Sequence, residues 1–599
     1  MPLADVQQLT CRLFSPKEIH CFGGSVANLK ISRLSDSKVA LAVSGPATPK
    51  DRLHNPEDDK KPHSTAKVYT SLYVRHWDSY VSENRSVIWY GCLSATGGGK
   101  AAEQGKPDSN TYTLEAPGLV NALAGTSLQS PVPPFGGGGD FDIGPRGLAF
   151  VSRDPASNPA LYTRSDVYFV PLKTFTETEP QTPRLVPAPR ALEGYAASPV
   201  FSPDGRRLVF TKMRSRQYES DKPRLLLTAD IEHLTTDAVE FYATTDGEGG
   251  WDARPEGVVW SADAAELYVT AEKSGRGMLW KLPSDPAAAA TAGLPQCLVS
   301  EGTVGEARPL GSDKLLLSGS SLVDNSIYSI LDPASKQLDV VSSNSKGGRT
   351  FGLSRSQCDE IWFQGAGDYQ VHALVFKPSG FDASKRYPLA FLIHGGPQGA
   401  WLDSWSTRWN PAVFAEQGYV VVCPNPTGST GYGMALQDGI RNEWGGRPYQ
   451  DLERCFDYIA AQMPYVDTDR AVAAGASYGG YMISTLLTSL SPSPPLPPSF
   501  IVGLTSRFER LDPRPAPGPP LQGPRVPRRR LQHARPVRVR GALLSSARLW
   551  RHSVGEPRWL RALGPGEVYR PVEHAAAGAS PSLFPFCPAL PPFGSKRSS

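Results

Sequence analysis

Residues 471–482 read AVAAGASYGGYM. Gly475, Ser477 and Gly479 fall at the spacing G-x-S-x-G, and the flanking residues decide what that spacing means. Upstream, RAVAAGA is a short apolar run of the kind that forms a buried strand. Downstream, YMISTLLTSL has the length and period of a helix. A serine between such a strand and such a helix stands on a tight turn that small neighbours permit, with its Oγ raised from the C-terminal edge of a sheet. This context points to a hydrolase nucleophile at Ser477 rather than a structural serine. The N–H of Tyr478, at the helix start, would face a developing oxyanion. A second donor is expected from HGGP at 394–397, where Gly396 lets a backbone N–H approach substrate closely. His394 in the same turn reads as structural, because the usual order is Ser, then acid, then His. Asp467 and Asp469 read as caps of the loop before the elbow strand.

Working outward, YPLAFLIHGGP and GYVVVCPNPTGSTGYG are continuous apolar runs that end in glycine-rich turns. DLERCFDYIAAQM has helical spacing. Buried strands alternating with helices predict a mostly parallel sheet covered on both faces, over about 355–490. From about 20 to 345 the texture differs. Short alternating runs such as SDVYFVPL, RRLVFTKM and AELYVTAE are divided by turn-rich stretches. FSPDGRRLVF begins at Phe201 and WSADAAELYV at Trp260, and both read aromatic-Ser-x-Asp, three residues, then a leucine that opens a strand. FDIGPRGLAF, from Phe141, is a worn third copy. A repeated strand–turn–strand unit predicts a propeller or similar radial array.

The chain has 599 residues, 40% hydrophobic and 20% charged, which suits two or three globular domains. A net charge of +4 gives no ground for a nucleic-acid partner. The eight cysteines form no C-x-x-C pair, so neither a metal nor a redox site is expected. No run of about 18 apolar residues marks a membrane span. TGGGK and FGGGGD lack the Gly-Lys-Ser/Thr ending of a phosphate loop, so no nucleotide or other cofactor is expected.

The ordered string HGGP, NPTGSTGYG, WGGRPYQDL and VDTDRAVAAGASYGGYM resembles the prolyl oligopeptidase family of serine peptidases. The stretch AKVYTSLYVRHWDSYVSENRSVIWYG at 66–91 is similar to its fungal dipeptidyl-peptidase branch, and the resemblance runs from about residue 20 to 484. It implies an N-terminal β-propeller that filters short peptides and a C-terminal α/β-hydrolase domain. It implies Ser477 as nucleophile, the N–H groups of Tyr478 and Gly396 as the oxyanion hole, peptide substrates and no cofactor. A dipeptidyl-peptidase must also hold a free α-amine, and Glu219 in RQYESDK is a candidate, beside the alternative of a solvated surface acid. Trp405 and Trp409 are candidates for a side-chain pocket, with core packing the alternative. The resemblance implies secretion, with which the sequon Asn84-Arg85-Ser86 is compatible. The N-terminus carries no secretory signal, which leaves a cytoplasmic location as the alternative. An acylaminoacyl-peptidase or esterase on the same scaffold, and a non-catalytic propeller that binds through a basic tail, are the competing readings. Oligomeric state is not legible.

The sequence departs from the family after the nucleophile. The acid and histidine should follow Ser477, yet His533, His552 and His574 stand in no strand-end setting. SPSPPLPPSF and RPAPGPPLQGPRVPRRRLQHARPVRVR have no apolar period and cannot offset their ordering entropy. Read one base on, codons permitted by LRALGPGE at 560–567 give YERWDPA, and the shifted match extends over about 540–578. The expected organisation is a propeller-like domain over 1–350 lacking its first blade, the N-terminal part of an α/β-hydrolase domain over 355–490, and a frame-shifted or disordered tail over 491–599. The expected consequence is a chain without its triad acid and base, with an open sheet edge and no activity.

Overall fold

The computed structural model describes residues 24–488, apart from 60–63, 71, 97–110, 180 and 312, together with residues 501–504. The predicted repeat forms in three dimensions. Ala196–Phe201 and Leu208–Lys212 are an antiparallel hairpin joined by the SPDG turn, and Pro255–Trp260 and Glu266–Lys273 are joined by SADA. In the first turn Ser202 donates to Asp204 Oδ1 at 2.6 Å, and the same carboxylate accepts from Arg206 N at 3.1 Å. In the second, Ser261 donates to Asp263 Oδ1 at 2.6 Å and Ala265 N follows at 3.0 Å. The fourth turn position is left-handed in both, φ 70° at Gly205 and 59° at Ala264. Sequence similarity at 59 residues' separation thus reflects one turn built twice.

Each hairpin belongs to an antiparallel unit of about four strands. Sheets of four strands cover Phe141–Leu185 and Ala196–Glu240, and a sheet of five strands precedes them. A sheet of eight strands follows, over Pro255–Ser343. It is two four-stranded units that touch at a single parallel pair, Gly277 with Thr303. The first strands of the successive units, Ala27–Arg33, Phe141–Gly144, Ala196–Phe201, Pro255–Trp260 and Thr303–Pro309, lie against one another in order. Neighbouring units are also tied by polar links: Asp142 accepts from Phe201 N at 2.9 Å, and Arg207 lies 4.7 Å over the Trp260 ring while donating to Ala264 O. The ion pair of Lys212 with Asp166, 2.5 Å and buried, joins the same two units as the Asp142–Phe201 bond.

The apolar runs near 390 and 420 form the centre of a second sheet. Its order is Cys358–Gln364, Gln370–Phe376, Val420–Asn425, Tyr387–Ile393, Val466–Gly475, Ile501–Leu504. The runs are continuous because both faces are buried. Leu389, Phe391, Ile393 and Val422 enter the core beneath the helices Arg447–Gln462 and Tyr478–Thr488. Ala390, Leu392, Val421 and Cys423 enter the other, against the helix Pro411–Ala415.

The sheet is mostly parallel, and one strand, Gln370–Phe376, runs antiparallel to both neighbours. Its link to Cys358–Gln364 is a five-residue turn, too short for the crossover that parallel strands require. Within the tail, Ile501–Leu504 forms a strand parallel to Val466–Gly475 instead of lacking structure. IVGL is an apolar, β-branched run, and the elbow strand offers it an unpaired edge. The rest of the tail, with His533, His552 and His574, lies outside the described residues.

Candidate active site

Ser477 stands between the strand Val466–Gly475 and the helix Tyr478–Thr488, with φ at +56°. A residue with a Cβ in this left-handed region is strained, and the neighbours show why the turn persists. A Cβ on Gly475 would meet Ile393 O at 2.7 Å, and one on Gly479 would meet it at 2.3 Å. The two glycines therefore let the elbow press onto the end of Tyr387–Ile393. Gly479 N donates to Ala476 O and Tyr481 N to Ser477 O, which closes the turn into the helix. Ser477 is exposed, and its hydroxyl has no hydrogen-bond partner among the described residues.

The HGGP turn is brought to this serine. A Cβ on Gly395 would lie 3.6 Å from Ser477 Cβ, and Gly396 follows at φ +125°. Tyr478 is buried; its OH donates to Trp444 O at 2.7 Å and its ring meets the Trp444 ring edge-on. That anchoring fixes the first turn of the helix that follows Ser477. Sequence reasoning thus predicts three positions, Ser477, Tyr478 and Gly396, that the fold gathers at one sheet edge.

The described histidines have partners other than Ser477. His394 Nδ1 pairs with Gly395 O at 2.7 Å and Nε2 with Ser429 Oγ at 3.0 Å, while burial holds its pKa below the ordinary value. Its place in the loop network suits the structural reading. His372 lies against Tyr432 OH at 2.6 Å and Glu360 Oε2 at 3.3 Å. His54 pairs with Asp59, His233 with Asp230, and His76 packs on Tyr73. Asp467 makes ion pairs with Arg470 at 2.6 Å and Arg386 at 3.5 Å instead of facing the serine.

Glu219 is exposed on the loop between Leu208–Lys212 and Arg224–Thr228. Its neighbours dock that loop beside the HGGP turn. Tyr218 OH donates to Asp438 at 2.9 Å and also meets Gln398, two residues past Gly396. Burial, with Asp438 second, pushes the Tyr218 phenol up to about 12, so it stays a neutral donor. Ser220 O accepts from Gln437. Trp405 stacks on Phe351 at 5.2 Å and packs against the second core of the mixed sheet, and Trp409 lies under Arg408 at 5.0 Å. Packing accounts for the Trp405 ring.

Two elements of the site went unread in the sequence. Asn425 is fully buried at the end of Val420–Asn425; it accepts from Trp401 N at 2.7 Å and donates to Trp401 O at 3.1 Å, pinning the chain that leaves HGGP. Asp451 is fully buried and accepts from Thr427 N, Thr427 Oγ1, Ala366 N and Tyr369 OH. A lone Asn closing an apolar strand, and a lone Asp on the inner face of a helix, were the available signals.

Comparison with known proteins adds kinship. Residues 405–492 match the prolyl oligopeptidase family. The chain is 40% identical over 465 residues to the probable dipeptidyl-peptidase 5 of Arthroderma benhamiae, covering 77% of this chain and 61% of the relative. It is also 40% identical, over 466 residues, to dipeptidyl-peptidase 5 of Arthroderma otae, with the same coverage. The chain therefore spans about three fifths of the length of the curated relatives it matches. Among solved structures, the uncomplexed acylaminoacyl peptidase of Pyrococcus horikoshii superposes with a TM-score of 0.52 at 13% identity, over 77% of this chain and 61% of that one. That likeness is one of fold.

Proposed function

By residues 405–492 and its fungal relatives the chain belongs to the prolyl oligopeptidase family, and on that premise we propose that it derives from a serine-type peptidase that removes dipeptides from the N-termini of short peptides. The observation that carries this reading is the left-handed elbow at Ser477 with the HGGP turn against it. Ser477 Oγ attacks the scissile carbonyl carbon, the Tyr478 and Gly396 N–H groups receive the oxyanion, and the C–N bond breaks to leave an acyl-enzyme that water hydrolyses. The antiparallel units over about 1–350 act as a propeller that filters peptides, and the mixed sheet from about 355 is the hydrolase part. Glu219, beside the oxyanion turn, holds the free α-amine.

The departing amine needs a proton, and Ser477 must lose one. The described histidines have other partners, so the base and its acid belong in the stretch after 488, where the reading frame departs from the family. Among the described residues no base is in place at Ser477, and a peptidase without its base loses about 10⁴–10⁶ in rate. An exposed location outside the cell agrees with the sequon at Asn84.

The test is hydrolysis of dipeptide substrates with free and with blocked N-termini. It uses the 599-residue chain and a chain continued in the shifted frame of its own transcript. Activity on free N-termini that appears only in the second chain, and disappears with Ser477→Ala, is the expected result. Preference for blocked N-termini would replace the reading with an acylaminoacyl-peptidase. Ser477-dependent activity in the first chain would refute the loss of the base.

A further inference from the structure

A cleft of about 770 Å³ opens between the antiparallel units and the mixed sheet, apart from Ser477. Its walls are aromatic: Trp251 and Trp280 from one side, Trp362 and Tyr432 from the other. Trp251 and Trp280 meet edge-on at 6.1 Å, and Trp362 meets Tyr432 at 6.0 Å. Trp362 is 41% exposed, and Leu294 at the mouth 65%. Charges of both signs line the rim, Lys273 and Arg447 against Asp252, Glu272 and Asp368. Mixed charge disfavours a polyanion or a polycation. Together with aromatic walls it suits a zwitterionic chain that carries an apolar side chain.

The position of the cleft relative to Ser477 follows from sheet register. Ala473, Phe391, Val422 and Val375 form one row across the sheet. Ser477 lies beyond that row on the turn that follows the end of its strand at Gly475, and Val371, next to the cleft residues Tyr369 and Gln370, lies four residues beyond the row, on the same side, on the antiparallel strand. The two strands are three spacings apart, or about 14 Å. The loop 426–433 joins the two places: Ser429 holds His394 beside the oxyanion turn, while Thr427, Gly431 and Tyr432 line the cleft.

We propose that this cleft binds the leaving portion of the peptide substrate, favouring an aromatic side chain about four residues beyond the scissile bond. This rests on the dipeptidyl-peptidase reading. An acyl portion of two residues spans only about 7 Å at 3.4 Å per residue and stops short of the cleft, whereas four residues on the leaving side reach it. Stacking on the exposed Trp362 face supplies the selectivity.

The experiment measures binding to the 599-residue chain carrying Ser477→Ala, so that nothing is turned over. Two probes are used: an alanine hexapeptide with a free N-terminus, and the same peptide with phenylalanine at its sixth position. Calorimetry gives affinity, and quenching of tryptophan fluorescence reports the place. The phenylalanine peptide is expected to bind about three- to tenfold more tightly. Trp362→Ala should remove that advantage, with a smaller loss for the alanine peptide than for the phenylalanine peptide. Leu294→Ala, a change at an exposed position that the core does not use, should reduce it as well. Equal affinity of the two peptides, or a loss that falls on both alike in Trp362→Ala, would overturn the proposal. The hydrolysis test above is read separately. If Ser477-dependent cleavage stands and the preference is absent, the cleft fails alone; if the preference is present without cleavage, the cleft stands and the peptidase reading fails.

Discussion

At Ser477 and the glycine two residues on, strain and contact act in opposite directions. Ser477 carries a Cβ at φ +56°, a conformation that costs about 1 kcal/mol or more and that glycine adopts freely. Ser477→Gly is therefore expected to stabilise the folded chain by about 1 kcal/mol, less the extra entropy of a glycine in the unfolded state, while it removes the nucleophile. Gly479→Ala has the contrary effect. The new methyl would stand 2.3 Å from Ile393 O, a backbone atom inside a sheet that cannot give way cheaply. Overpacking of this kind costs about 1–3 kcal/mol. Urea unfolding midpoints of the two variants, measured beside the parent, should move apart. A stabilised Gly479→Ala would mean that the elbow is not pressed onto Tyr387–Ile393 as described.

Between the strands, the structure turns on short polar devices, and these were unevenly legible. The SPDG and SADA turns could be read because Asp and Gly announce their geometry locally. The alternation of the central strands between two cores followed from the continuous apolar runs. The direction of Gln370–Phe376 did not, since a seven-residue strand reads alike in either sense and only its short connection decides it. Asp140 was invisible for another reason: its partners are Val132 N, at 2.7 Å, and Tyr195, from different segments. Burial pushes its carboxyl up to about 6, and those two hydrogen bonds hold it down only in part. The sign follows. Between about pH 4 and pH 6 the unfolded chain has released this proton and the folded chain has not, so stability falls as pH rises through that window and is level above it. The most this can amount to is about 3 kcal/mol. Asp140→Asn should flatten that part of the stability–pH curve, so that the variant gains on the parent from pH 4 to pH 7. Parallel curves would show that Asp140 titrates normally.

For the whole molecule, the elbow at Ser477 and the glycine turn set against it were legible because G-x-S-x-G and HGGP each carry their own local geometry. The junction that sets the antiparallel units over the mixed sheet was not, because each of its contacts pairs residues tens to hundreds of positions apart. Asp403 is its most concentrated point. The residue is 2% exposed; its Oδ1 accepts from Leu322 N at 2.9 Å and from Arg355 at 2.7 Å. Its own N–H donates to Gly275 O at 2.7 Å, and its carbonyl accepts from Thr303 Oγ1 at 3.0 Å. Two units of the array and the loop after HGGP therefore meet on one residue, two positions from Trp401 and from Trp405. Asp403→Ala removes the side-chain half of this arrangement. A fully buried ion pair broken in this way costs about 3–5 kcal/mol, but Arg355 is 46% exposed and regains water, so about 2 kcal/mol is expected. The backbone bonds to Gly275 and Thr303 lose their anchor at the same time. The loop carrying Trp401 and Trp405 should then loosen before the sheets do. Tryptophan fluorescence of the variant should begin its urea transition at lower denaturant than the far-UV circular dichroism signal, whereas the two coincide in the parent. Coincident transitions in Asp403→Ala would mean that the remaining links, Tyr218 to Asp438 and Asp252 to Met434 N among them, hold the junction without it.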